Sequence, residues 1–164
     1  MIEPLAVASV RFDVVGLPKP QGSKVAFINK ATGHAGMKEA SERGQRAWRG
    51  VVALAARDAC DNGPVGMTPF DGPLGLTILF RLPCPKARAE KAPCWHIVSP
   101  DLSKLLRSTE DGLVDGGLIV DDRLICSTRM WAIEVVGWTG AHIRVEQVPP
   151  WTSEGLGTEG LGLR

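Results

Sequence analysis

The chain has 164 residues, with 19 Lys/Arg against 18 Asp/Glu and a net charge of +1. That length fits a single domain with an adequate core, and a charge so near neutral argues against strong nonspecific binding to nucleic acid. No apolar run approaches the ~18 residues of a membrane span and no basic stretch with an apolar core opens the chain, so a soluble, cytoplasmic protein is expected, with Cys60, Cys84, Cys94 and Cys126 as free thiols.

Ala8, Val10, Phe12 and Val14 alternate with Ser9, Arg11 and Asp13, the period of a half-buried first strand. Residues 16–40 read as Gly/Pro/Lys-rich loops with a hairpin around Thr32-Gly33, and their Lys19, Lys24 and Lys30 are either a solvated basic loop or contacts to DNA. Ser41 to Cys60 is expected to be a helix with Trp48, Val51, Val52, Ala55 and Ala59 on one face. A turn-rich connection from Asp61 to Gly72 leads to a strand at Leu74–Leu82, followed by a loop over 83–93 that is expected to move. Strands near 124–136 and 141–148 close the domain. Residues 149–164, with Gly155, Gly157, Gly160 and Gly162, have little to pack and form a flexible tail beyond the 1–148 domain. The order implies an α+β fold: a single layered domain with a mixed β-sheet packed against two main helices.

Residues 96–122 carry the chemistry. Ser99-Pro100-Asp101 has the make-up of a helix start, with a hydroxyl cap, proline in the first turn and an acid at the positive end of the dipole. Leu102, Leu105, Leu106, Thr109 and Leu113 form an inward stripe, and Ser103, Arg107 and Asp111 recur every four residues on a polar face. Gly116-Gly117 stops the helix, and Leu118-Ile119-Val120 reads as a buried strand that brings Asp121-Asp122 back towards it. On a regular strand Asp121 and Asp122 face opposite ways, so one of them ligates. Asp101 and Asp111 cannot share one shell, because ten residues of helix advance roughly 15 Å. Converging carboxylates repel one another and usually need a cation; oxygen ligands suit magnesium or manganese.

These pieces, Pro-Asp-Leu-Ser-Lys-Leu-Leu-Arg, then Glu-Asp-Gly-Leu, then Val-Asp-Asp, together with the opening Val-Val-Gly-Leu-Pro-Lys-Pro-Gln-Gly-Ser-Lys, resemble the RusA-like endodeoxyribonucleases, Holliday junction resolvases of phages and prophages. The family pattern is roughly Pro-Asp-x-Asp-Asn-Leu-x-Lys, then Asp-Ala-Leu, then Asp-Asp after a short turn. Asp101 matches its first acid, Asp111 the central acid and Asp122 the last. Ser103 stands where the family has its second acid, Lys104 where it has Asn, and Arg107 where it has Lys. Serine is only a weak neutral ligand, and arginine keeps the charge but cannot give up a proton, which favours transition-state stabilisation over acid–base work.

The resemblance implies phosphodiester hydrolysis in branched DNA with Mg2+ or, in its place, Mn2+, by a homodimer in a bacterial or phage-infected cell. It implies Asp101, Asp122 and Asp121 as metal ligands and catalytic residues, and Arg107 as a phosphate clamp. Lys19, Lys24 and Lys104 join Arg107 as DNA contacts, with Ser103, Asp111 and His96 as supporting groups. From Arg11 to Arg49 there are eight Lys/Arg against three Asp/Glu, a basic rim that suits phosphate contacts around an acidic centre.

Blander readings compete. The acids alone would be a solvated helix face, Arg107 could merely pair with Asp111 at i,i+4, and His96 could be structural. Ser103 raises the alternative of a junction-binding protein with little or no cleavage, and a cation-stabilised binding module without DNA is a third option. Gly16 to Lys24 lacks phosphate-loop spacing, and Pro18 and Pro20 remove needed amides. Cys84, Cys94 and His96 lack zinc spacing and a fourth ligand. A calcium-loop register over Asp111 to Asp122 fails because Leu113 fills a ligand position.

Overall fold

The computed structural model describes residues 8–21, 24–28, 31–39, 42–63 and 69–149; the expected tail from residue 150 lies outside them. Strand β1 (Ser9–Val15) is followed by a hairpin, β2 (Lys24–Ile28) and β3 (Ala35–Glu39), and by helix α1 (Glu42–Asp61). Strand β4 (Leu74–Pro83), a 3₁₀ turn (Lys86–Lys91) and the two-residue strand β5 (Cys94–Trp95) lead to helix α2 (Leu102–Asp115). A second 3₁₀ turn (Asp122–Leu124), β6 (Ile125–Val135) and β7 (Gly140–Gln147) complete the order.

Five strands form one sheet in the order β1-β7-β4-β6-β5, with β2-β3 a separate ribbon. β4 and β6 run parallel while the other pairs are antiparallel, so the sheet is mixed as expected. Parallel neighbours need a long crossover, and α2 supplies it.

Alternation decides which face the helices cover. Leu74, Leu76, Ile78, Phe80 and Leu82 on β4 and Ala141, Ile143 and Val145 on β7 are buried. They pack with Trp48, Val52 and Ala56 of α1 and with Leu105 and Leu113 of α2. Each large apolar side chain removed from water contributes about 1.5–3 kcal/mol. The indole N–H of Trp48, deep in this core, donates to Thr109 Oγ1 at 3.0 Å, which satisfies a polar group that burial would otherwise penalise.

The helices approach closely because α2 turns Gly112 and Gly116 towards α1. A Cβ at Gly112 would lie 2.7 Å from Val52 Cβ, and one at Gly116 would lie 2.5 Å from the Ala53 carbonyl oxygen.

Several expectations are corrected. The α2 cap is Asp101, in extended conformation, and Ser99 and Pro100 precede the helix. At the other end Gly117, with φ +75°, closes α2. Leu118 N–H reaches Leu113 O at 3.1 Å, and Gly117 N–H reaches Val114 O at 2.9 Å, a Schellman arrangement.

That cap consumes the start of the expected strand. Only Ile119 makes a bridge, to Phe70, and Val120 is exposed. Asp121 and Asp122 therefore open a 3₁₀ turn rather than alternate along a strand. The 83–93 segment contains the first 3₁₀ turn, and Arg88 Nη2 lies 2.9 Å from Glu134 Oε1 of β6. Strand β5 had no signal in so short a segment.

Candidate active site

Asp101 caps α2 without a side-chain cap bond and instead pairs with Lys104 Nζ at 3.3 Å. It lines a cleft with Trp95, Pro100, Met130 and Trp131. Ser103 and Arg107 are exposed on the same helix, and Arg107 makes no ion pair among the described residues. Its expected partner Asp111 is taken by Arg49 of α1, at 3.2 Å from Nη1. The same guanidinium also grips Asp115, with Nη2 to Oδ1 at 2.7 Å, and this hydrogen bond holds the Asp115 carboxyl below the usual range. Arg49 thus clamps α1 to α2.

The basic loop lies against α2. Ser108 Oγ donates to the Lys19 carbonyl at 2.6 Å, and the Gln21 N–H donates to the Lys104 carbonyl at 2.9 Å. The loop backbone is thereby held against α2, while the Lys19 side chain runs along Gly44 of α1, its Cγ 3.4 Å from where a Cβ there would stand. Lys24 lies in β2, and Lys30 lies outside the described residues.

Asp121 caps its turn by accepting from Arg123 N–H at 3.0 Å. Asp122, exposed, sits across from the C-terminal half of α2 and lines a cleft with Asp121, Asp111, Arg49, Val114 and Val120. Glu110, half-buried, has its carboxyl raised by burial, then by Asp122 and Asp111, with Arg107 opposing.

Glu110 was absent from the sequence reading, although a helical signal existed. Seven residues return to within roughly 20° of the same direction, so Glu110 continues the face of Ser103 and Arg107. Carboxylate oxygens suit magnesium or manganese, and no three of Glu110, Asp111, Asp121 and Asp122 bring their ligand atoms within 4.8 Å of one another in the single chain.

The predicted ligands do not all meet within one chain. Asp101 shares its cleft with Met130, Trp131 and Ala132 in β6, whereas Asp122 precedes that strand at Ile125. Six residues of strand separate the two ends by roughly 20 Å. The turn does return Asp122 to α2, but to its Glu110 end. His96 does not join the acids: its side chain is buried and Nδ1 lies 3.2 Å from Glu134 Oε1.

The family profile described as Endodeoxyribonuclease RusA matches residues 19–146. No individual curated protein shows significant similarity to the sequence. No helix among the described residues is long and apolar enough to cross a membrane. With the match spanning most of the chain, and with its acidic helix, aspartate pair and basic loop all inside it, the protein belongs to the RusA endodeoxyribonuclease family.

Proposed function

We propose that this nuclease hydrolyses phosphodiesters in four-way or otherwise branched DNA as a divalent-metal-dependent homodimer whose active site is shared between subunits. One observation carries this reading: Asp122 shares a cleft with Asp111 and Val114 in the C-terminal half of α2, while Asp101 lies at the N-terminus of that helix. Asp122, Asp121 and Glu110 of one chain, with Asp101 of the partner subunit, would hold the cation. A bound Mg2+ or Mn2+ supplies an activated water and stabilises charge on the phosphoryl oxygens.

The chain's own groups do the rest. Glu110 returns the negative charge missing at Ser103, which remains an exposed neutral group. Arg107, without an ion-pair partner among the described residues and one helical turn from Glu110, would meet a phosphate and stabilise charge building on it. Lys19 and Lys104 position the backbone without reading sequence.

The test is cleavage of an end-labelled four-way junction in magnesium, manganese or chelator. Asp122→Asn and Asp101→Asn should each abolish nicking while junction binding persists. Mixing the two variants should regenerate nicking, because a shared arrangement leaves one of the two sites intact. If the mixture stays inactive with heterodimers present, the shared site is wrong. Wild-type rates in Asp122→Asn would remove that residue from the mechanism. Tight binding with no nicking in any metal, and cleavage gained by Ser103→Asp, would instead identify a junction-binding relative.

A further inference from the structure

At the far end of the sheet from Asp122, three unrelated segments converge. Cys84 follows β4, with its N–H on the Val135 carbonyl at 3.0 Å. Cys94 stands opposite Glu134 in the β5–β6 pairing. Because β6 lies between β4 and β5, the two cysteines flank Glu134 from either side. The ligand atoms of Cys84, Cys94 and Glu134 all lie within 4.8 Å of one another, the one such grouping of three or more among the described residues.

We propose that Cys84, Cys94 and Glu134 form a binding site for zinc or a similarly thiophilic divalent cation, separate from the acidic centre. Tetrahedral zinc places sulfur and oxygen ligands roughly 3.5–3.8 Å apart, so closure requires movements of about 1 Å at side-chain ends. Two thiolates select zinc-like metals over magnesium.

The charge also balances. Two thiolates and one carboxylate bring three negative charges, and a divalent ion with Arg88 brings three positive ones. Glu134 is already divided between two tasks: Oε1 is held by Arg88 at 2.9 Å and by His96 at 3.2 Å, while Oε2 faces Cys94 Sγ at 3.8 Å. That is how outer groups orient a metal-bound carboxylate. The buried Nε2 of His96 has no hydrogen-bond partner among the described residues, its Nδ1 orients Glu134, and water completes the shell.

The spacing of Cys84, Cys94 and His96 had argued against zinc because a ligand was missing. Glu134, forty residues beyond Cys94, supplies it. Bound metal would fasten the 84–94 segment to β6 and with it the chain leading to Asp101.

The test uses the full-length, reduced protein, titrated with zinc and separately with cobalt(II), in excess magnesium. One equivalent of zinc should survive gel filtration, and cobalt should give a thiolate charge-transfer band. Cys84→Ser with Cys94→Ser should remove both, while Cys60→Ser with Cys126→Ser leaves them unchanged. His96→Ala should weaken binding by about 10–100-fold. Circular dichroism checks that each variant is folded. Absence of the band, its persistence in the Cys84/Cys94 variant, or a Cys84–Cys94 disulfide with no metal uptake after reduction would overturn the proposal.

Discussion

Replacing Gly112 with alanine sets two effects of opposite sign against each other. Alanine in a helix interior is favoured over glycine by about 1 kcal/mol. At Gly112, however, the added methyl would stand 2.7 Å from both Cβ and Cγ1 of Val52 and 3.0 Å from the Arg49 carbonyl oxygen. Neither a β-branched core side chain nor helix backbone yields easily, so α1 and α2 must part by about 1 Å. Overpacking of this kind costs about 1–3 kcal/mol.

The expected net is a loss of about 0–2 kcal/mol, which lowers Tm by about 0–8 °C for a domain of this size. Gly50→Ala is the comparator: it lies on α1 with nothing within 4 Å of the added carbon, so only the propensity gain operates and Tm should rise by about 2–4 °C. Activity should fall more than stability, because Glu110 and Asp111 immediately precede Gly112 and a displacement of 1 Å can cost about 100-fold in rate. Val52→Ala combined with Gly112→Ala should recover much of the cleavage. Thermal melts of the three variants and the wild type, with junction cleavage at saturating metal, decide the matter. If Gly112→Ala raises Tm as much as Gly50→Ala, the close approach of the helices is wrong.

Other perturbations probe the same region. Glu110→Gln should slow cleavage yet raise Tm at neutral pH, because the native fold raises this carboxyl through burial, Asp122 and Asp111. A raised folded pKa means stability is lost as pH climbs through the ordinary glutamate range, so the gain should vanish in acid below that range; a gain that is the same at all pH values would refute the linkage. Arg107→Ala should slow cleavage by roughly tenfold or more with junction binding little changed if it stabilises transition-state charge, and an unchanged rate would exclude it. Thr109→Val keeps the shape but strands the Trp48 N–H, buried 3.0 Å from Thr109 Oγ1. It should cost about 1–3 kcal/mol in denaturant melts, whereas an unchanged midpoint would mean that the indole finds another acceptor.

What the sequence reveals here follows the range of each interaction. Alternation at Val10–Val14 and the apolar face around Trp48 and Val52 are set by neighbours within a turn or a strand, so those elements, and the α+β class, are legible. Leu118-Ile119-Val120 misleads because three apolar residues satisfy a strand pattern, while the helix cap at Gly117 takes the Leu118 amide for Leu113.

Strand β5 and the partners of Arg49 and Glu134 depend on segments 38 residues or more apart and leave no periodic trace. The placement of Asp101 and Asp122 belongs with these. Their spacing in sequence suggests one cluster, since a turn after a helix brings the chain back. How far back is decided by β6: its parallel pairing with β4 and its contact with the Trp95–His96 segment fix where the strand begins and ends. With Asp122 before the first residue of that strand and Asp101 beside Trp131, the length of the strand itself keeps the two aspartates apart. A motif that is contiguous in sequence is therefore divided in space between the two ends of α2.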